Sequence, residues 1–176
     1  LEAIETQPAQ VYRLHHAAAI IYRDELKDSK EAVKHLDLAL QADPTNMKAF
    51  NKLENVCVQQ GNYKLLATAY RRMLKRLPED TPVDEQVRLW HELGRMSQDE
   101  LHDAKGAIVA FEVAAKLDPA DVARQENLGR LYATAGPDAY GKAIAVNQRL
   151  LRHNPTRKEA YKELRRLYSE EGAHDK

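Results

Sequence analysis

The sequence predicts an all-α chain of stacked helical hairpins, and three observations predict it. Five of the seven prolines recur almost regularly, at Pro8, Pro44, Pro78, Pro119 and Pro155, with gaps of 36, 34, 41 and 36 residues. Between them, apolar residues return at steps of three and four, the period that places a stripe on one face of a helix. No stretch alternates apolar and polar residues with β-branched enrichment, so no strand is expected.

Proline cannot continue a helix, so each of the five marks a boundary. Apolar residues keep the same phase: Ala3, Ala39, Met73, Ala114 and Leu150 stand five positions before a proline, and Ala32, Leu66, Ala107 and Ala143 stand twelve before the last four. The unit is therefore helix, short turn, helix, boundary. Nine helices follow, over 10–25, 29–42, 47–60, 63–76, 82–98, 104–116, 121–135, 140–153 and 157–171. The third carries Phe50, Leu53, Val56 and Cys57 on one stripe, and the fourth Leu66, Ala69, Tyr70 and Met73. Thr81 and Pro82 suit the cap and first turn of the lengthened fifth helix. Gly61, Gly136 and Gly172 are placed to end first helices in a left-handed conformation. "RDELKDSKEA" at 23–32 resembles "QDELHDAKGA" at 98–107, each with one extra residue in the turn between helices.

A hairpin cannot bury both its apolar faces alone, whereas stacked hairpins can. The expected organisation is a single array over 1–176: repeats at 9–44, 45–78, 79–119 and 120–155, then a half repeat or capping helix at 156–176. Its apolar stripe is read as Tyr161, Leu164 and Tyr168. Residues 1–8 repeat the end-of-unit spacing and read as the tail of an upstream repeat, so the chain is expected to be cut from a longer array.

Composition narrows the function. Lys plus Arg and Asp plus Glu both number 27, which disfavours a nucleic-acid binder. One cysteine, Cys57, excludes an internal disulfide and a multi-cysteine zinc cage. No apolar run is long enough for a membrane span. "AGPDAYGKAI" at 135–144 is one residue short of a phosphate-binding loop, but it follows a helix, and Ala143 replaces the hydroxyl that magnesium needs. His15 and His16 diverge on a helix, so a shared metal ion is not expected. Cys57 lies on a core stripe, as an apolar filler. His91 and Glu92 lack a catalytic partner set, and Asp99 and Glu100 read as a solvated turn. No cofactor is predicted.

The pattern resembles the tetratricopeptide repeat family, whose signature is W-x2-L-G-x2-Y, A-x3-F and P at a period of about 34 residues. Trp90, Leu93, Gly94, Ala107, Phe111 and Pro119 carry it, with Ser97 in place of the tyrosine. The next unit has Leu128, Gly129, Tyr132, Ala143 and Pro155, with Gln125 for the tryptophan and Asn147 for the phenylalanine. Phe50, Leu53, Tyr70 and Pro78, then Tyr161, Leu164 and Tyr168, keep the phase. Ten of the eleven aromatics fall on packing positions of this register, Tyr12 being the exception.

The resemblance implies a right-handed superhelical solenoid of about four and a half units, with first helices lining a concave groove for a protein segment. On that groove the candidate partner-binding residues are Arg13, His16, Lys48, Asn51, Asn55, Arg88, His91, Arg95, Arg130, Lys162 and Arg166. With Arg23, Glu126 and Glu159 included, the face balances at +6 on a neutral chain, which favours an acidic, extended partner. No register reproduces the carboxylate clamp by which one subtype grips chaperone tails. The expected function is a non-catalytic scaffold or adaptor in the cytoplasm, with self-association through exposed end helices. The alternative is a ligand-sensing regulatory domain controlling an effector, which a ligand-sensitive melting temperature would distinguish.

Overall fold

A computed structural model describes residues 7–174, with side chains as far as Gly172. Residues 1–6 of the expected upstream tail lie outside the described residues. Contacts divide the chain into two compact units, Leu1–Pro82 and Val83–Lys176. The first unit holds α1 (Pro8–Asp24), α2 (Ser29–Ala42), α3 (Met47–Gln59) and α4 (Tyr63–Arg76). The second holds α5 (Val83–Asp99), α6 (Ala104–Leu117), α7 (Val122–Ala135), α8 (Tyr140–His153) and α9 (Lys158–His174). A 3-10 turn at Pro137–Ala139 precedes α8, and no strand occurs among the described residues.

Local chemistry sets the helix starts. Asp28, Asn46, Asn62, Asp103 and Asp121 each accept a hydrogen bond from the backbone N–H three residues on, at 2.9–3.2 Å. Each cap satisfies a donor that the first turn otherwise leaves unmade, an effect of about 1 kcal/mol. The two similar turns share a backbone device: Lys27 and His102 both take positive φ, at 53° and 51°. Gly61, at φ 61°, ends α3 as expected, and Gly136, at φ 111°, ends α7. Gly172 does not end a helix, because α9 runs on to His174.

In the first unit the core gathers Leu36, Leu40, Phe50, Leu53, Tyr70 and Met73, each at most 3% exposed. Phe50 meets Tyr70 edge-on at 4.9 Å between ring centroids, joining α3 to α4. Full burial of such side chains contributes about 1.5–3 kcal/mol each. In the second unit Phe111, Leu128, Tyr132, Leu150, Leu164 and Leu167 are the larger members of a continuous core. Gly94 lets α5 approach α6 closely, since a Cβ there would stand 2.9 Å from the Phe111 ring.

Two ion-pair networks join elements, and neither was apparent from the sequence. Asp37 of α2 is 7% exposed and is bound by Arg72 at 2.5 Å and Arg76 at 2.9 Å, both from α4. Arg124 is 5% exposed. It pairs with Asp121 at 2.8 Å and Asp118 at 3.3 Å, and donates to the Ala114 and Asp118 carbonyls. These contacts fasten the start of α7 to the end of α6.

One buried group is left over. Ser97, at the signature's tyrosine position, is fully buried, and its Oγ has no hydrogen-bond partner. An unmet buried hydroxyl costs about 1–3 kcal/mol. Ser97→Ala is expected to raise unfolding stability by about 1 kcal/mol in a urea titration; a lower midpoint would contradict this account of the hydroxyl.

Candidate partner-binding face

Side chains of successive first helices meet within each unit, so those helices lie side by side. In the first unit Lys52 of α3 donates to His16 Nε2 of α1 at 2.8 Å. In the second, Asn127 of α7 donates to Gln98 of α5 at 2.9 Å, and Arg124 Nε donates to His91 Nδ1 at 3.4 Å. Glu126 of α7 pairs with Arg157, which immediately precedes α9.

The sequence-predicted residues divide into three groups on this face. Arg13, Lys48, Asn51 and Asn55 in the first unit, with Arg88 and Arg130 in the second, are exposed and make no side-chain hydrogen bond or ion pair. His16 and His91 are half-buried packing residues. His16 stacks on Tyr12 at 5.5 Å, and His91 meets Phe111 edge-on at 5.4 Å. Arg95, Lys162 and Arg166 are exposed but paired within their own helices, to Glu92 at 3.0 Å, to Glu159 at 3.0 Å, and to Glu163 and Glu170. Glu163 and Glu170 together raise the Arg166 pKa, the hydrogen bond that Arg166 donates to Glu163 contributing most.

The expected basic surplus is thus partly cancelled. The one-face count omitted Glu92, Glu163 and Glu170, which lie three or four residues from Arg95 and Arg166 and are helix neighbours. Between α7 and α9 lies a hollow of about 340 Å³, lined by Arg130 beside Glu126, Glu159 and Glu163. Arg130 is its only cationic lining residue.

Other candidates resolve as packing. Cys57 is fully buried, and desolvation, with Glu54 nearby, pushes its thiol up to about 11. His15 Nδ1 lies 2.9 Å from His35 Nδ1, and His35 stacks on Tyr22. "AGPDAYGKAI" runs from the end of α7 through the 3-10 turn into α8.

The stripe expected on α9 is corrected. Ala160, Leu164 and Leu167 are buried, whereas Tyr161 and Tyr168 are 53% and 49% exposed. Tyr161 and Tyr168 hold positions that a following second helix would cover, and none follows among the described residues. α1 likewise exposes Leu14 and Ile21. No helix among the described residues is long and apolar enough to cross a membrane.

No protein-family model matches the sequence, and no curated protein does. Solved structures do match. MamA superposes with a TM-score of 0.53 at 19% identity, over 95% of this chain and 86% of that one. YrrB, a TPR protein with an unusual peptide-binding site, gives 0.55 at 19% identity, over 90% and 76%. The APC/C hetero-tetramer Cut9-Hcn1 gives 0.51 at 16% identity, over 89% of this chain and 30% of that one. With its all-α hairpins in register, the chain has the tetratricopeptide-repeat fold.

His16 gives the face a pH dependence. Burial lowers its pKa below 6.5, and the charges of Lys52 and Arg23 lower it further. Below the unfolded value the unfolded chain therefore binds more protons at this site, so the His16 contribution to stability is present above that value and is lost as pH falls. From about pH 7 to about pH 5, stability is expected to fall less steeply in His16→Gln than in the parent. Parallel melting curves across that range would show that the Lys52–His16 contact has no such role.

Proposed function

We propose that the chain is a non-catalytic protein-interaction module whose first-helix faces hold an acidic, extended protein segment. The observation carrying this reading is the pair Arg88 and Arg130 on α5 and α7, exposed on adjoining helices without ion-pair partners. Packing and helix geometry account for the neighbouring charges, Arg95 and Arg166 among them. Fixed cations with no internal partner suit a carboxylate-bearing ligand through steering and charge-assisted hydrogen bonds. The fold supports the class of function, since YrrB is a TPR protein with a peptide-binding site. In the first unit, Lys48, Asn51 and Asn55 form a comparable exposed strip on α3 that offers a cation and two amides.

Charge reversal tests the reading. With a fluorescent peptide of alternating glutamate and glycine, Arg88→Glu plus Arg130→Glu is expected to weaken binding by about tenfold or more, in a salt-dependent way. Arg95→Glu is a poorer probe, because it also removes the contact with Glu92. Unchanged affinity in the Arg88/Arg130 variant, with unchanged melting, would remove this face from the function.

A further inference from the structure

Gln125 stands where the repeat signature carries a tryptophan. It is 5% exposed, its side-chain amide makes no hydrogen bond among the described residues, and that amide reaches solvent, unlike the sealed Ser97 hydroxyl. Gln125 opens onto two adjoining hollows of the second unit. One, of about 430 Å³, lies between α6 and α8 over α7 and is walled by Lys116, Leu128, Val146 and Arg149. The other, of about 400 Å³, continues toward the end of α8 past Leu150 and His153. Gln125 and Arg149 line both, so the two make one trough.

The trough is apolar at its floor and cationic at its rim. Glu112 is the only carboxylate lining either hollow. Tyr132 donates to it at 2.6 Å and Lys142 at 2.9 Å. Among the described residues Lys116 and Arg149 make no hydrogen bond or ion pair, though the charge of Lys116 helps to lower the Glu112 pKa. Three features therefore await a partner at one place: two cations, an apolar strip, and an amide able to donate and accept at once. A peptide group matches that amide on both its N–H and its C=O.

We infer that this trough is a second peptide-binding site, on a face of α7 distinct from the one bearing Arg130. Its occupant is an extended segment in which an aspartate or glutamate adjoins an apolar residue. The acid meets Lys116 and Arg149, the apolar side chain lies on Leu128 and Val146, and a backbone peptide group pairs with Gln125. The smaller side chain at a position otherwise filled by an indole leaves the room that this occupant takes.

The test uses the full chain, isotopically labelled, titrated with a short peptide of alternating leucine and glutamate. The Gln125 side-chain amide and Arg149 Nε resonances are expected to shift together. Lys116→Glu plus Arg149→Glu is expected to weaken binding, read at the Gln125 amide, by about tenfold. Gln125→Trp, which refills the trough, is expected to abolish the shift of Arg149 Nε while keeping or raising the melting temperature. Arg88→Glu plus Arg130→Glu should leave the response unchanged, so failure here and failure of the first-helix face are separable. The proposal is overturned by no shift at Gln125 at any soluble peptide concentration, or by full response in Gln125→Trp. It is equally overturned if a single-stranded oligonucleotide, and not the peptide, moves these resonances.

Discussion

Within the second unit α7 is covered on two sides, by the second helix before it and the second helix after it, and much of that unit's structure follows from this requirement. Tyr132 and Tyr168 isolate it. Both stand at the same repeat position, and both reach back to the preceding second helix. Tyr132 donates to Glu112 of α6, and the Tyr168 hydroxyl accepts from Gln148 of α8. Tyr132 also has α8 after it, with Lys142 lying 5.3 Å over its ring, and is 6% exposed. Tyr168 has no following helix among the described residues and is 49% exposed. The residue type is the same and the backward contact is kept. Burial differs because the forward neighbour differs, which is how nearest-neighbour stacking works in repeat arrays.

The same requirement decides which signature departures the fold tolerates. At the tyrosine position Cys57, Ser97 and Tyr132 occur in successive repeats, all of them buried. Cys57 fills the site as a small apolar group. Ser97 fits sterically and leaves its hydroxyl unmet. At the tryptophan position, Phe50 is buried against Tyr70, Trp90 is half-buried, and Gln125 lines open volume. A small polar residue in either place leaves the hairpin intact because the neighbouring leucines and alanines still interlock. Its cost appears locally, as an unmet polar atom or as open volume.

Much of the fold was legible because the relevant information is local. Boundary prolines, apolar steps of three and four, and Asp or Asn ahead of each capped helix act within a few residues. The helix limits accordingly agree with the structure to within one to three residues. The site was less legible because it depends on neighbours outside one face. Arg95 and Arg166 looked free until their partners one turn away were placed. His16 and His91 looked like groove residues, yet their rings fill space between helices. Arg124 and Asp37 carry no signature position that marks them, yet each is a buried tie between helices. In the sequence, the one legible trace of the trough was a glutamine at an indole position.

Packing and function can therefore be separated by asking which polar groups the stack already uses. Ion pairs such as Asp37 with Arg72 and Arg76 bind α2 to α4, and breaking one would leave a poorly hydrated charge behind. Such groups are unavailable to a ligand. Arg88, Arg130, Lys116 and Arg149 are different, because among the described residues none of them makes an ion pair or hydrogen bond. Carboxylates stand near three of them without closing a salt bridge: Asp84 and Glu92 by Arg88, Glu126 and Glu159 by Arg130, and Glu112 by Lys116. On two faces of one unit and beside open volume, these cations keep donors that the stack does not use.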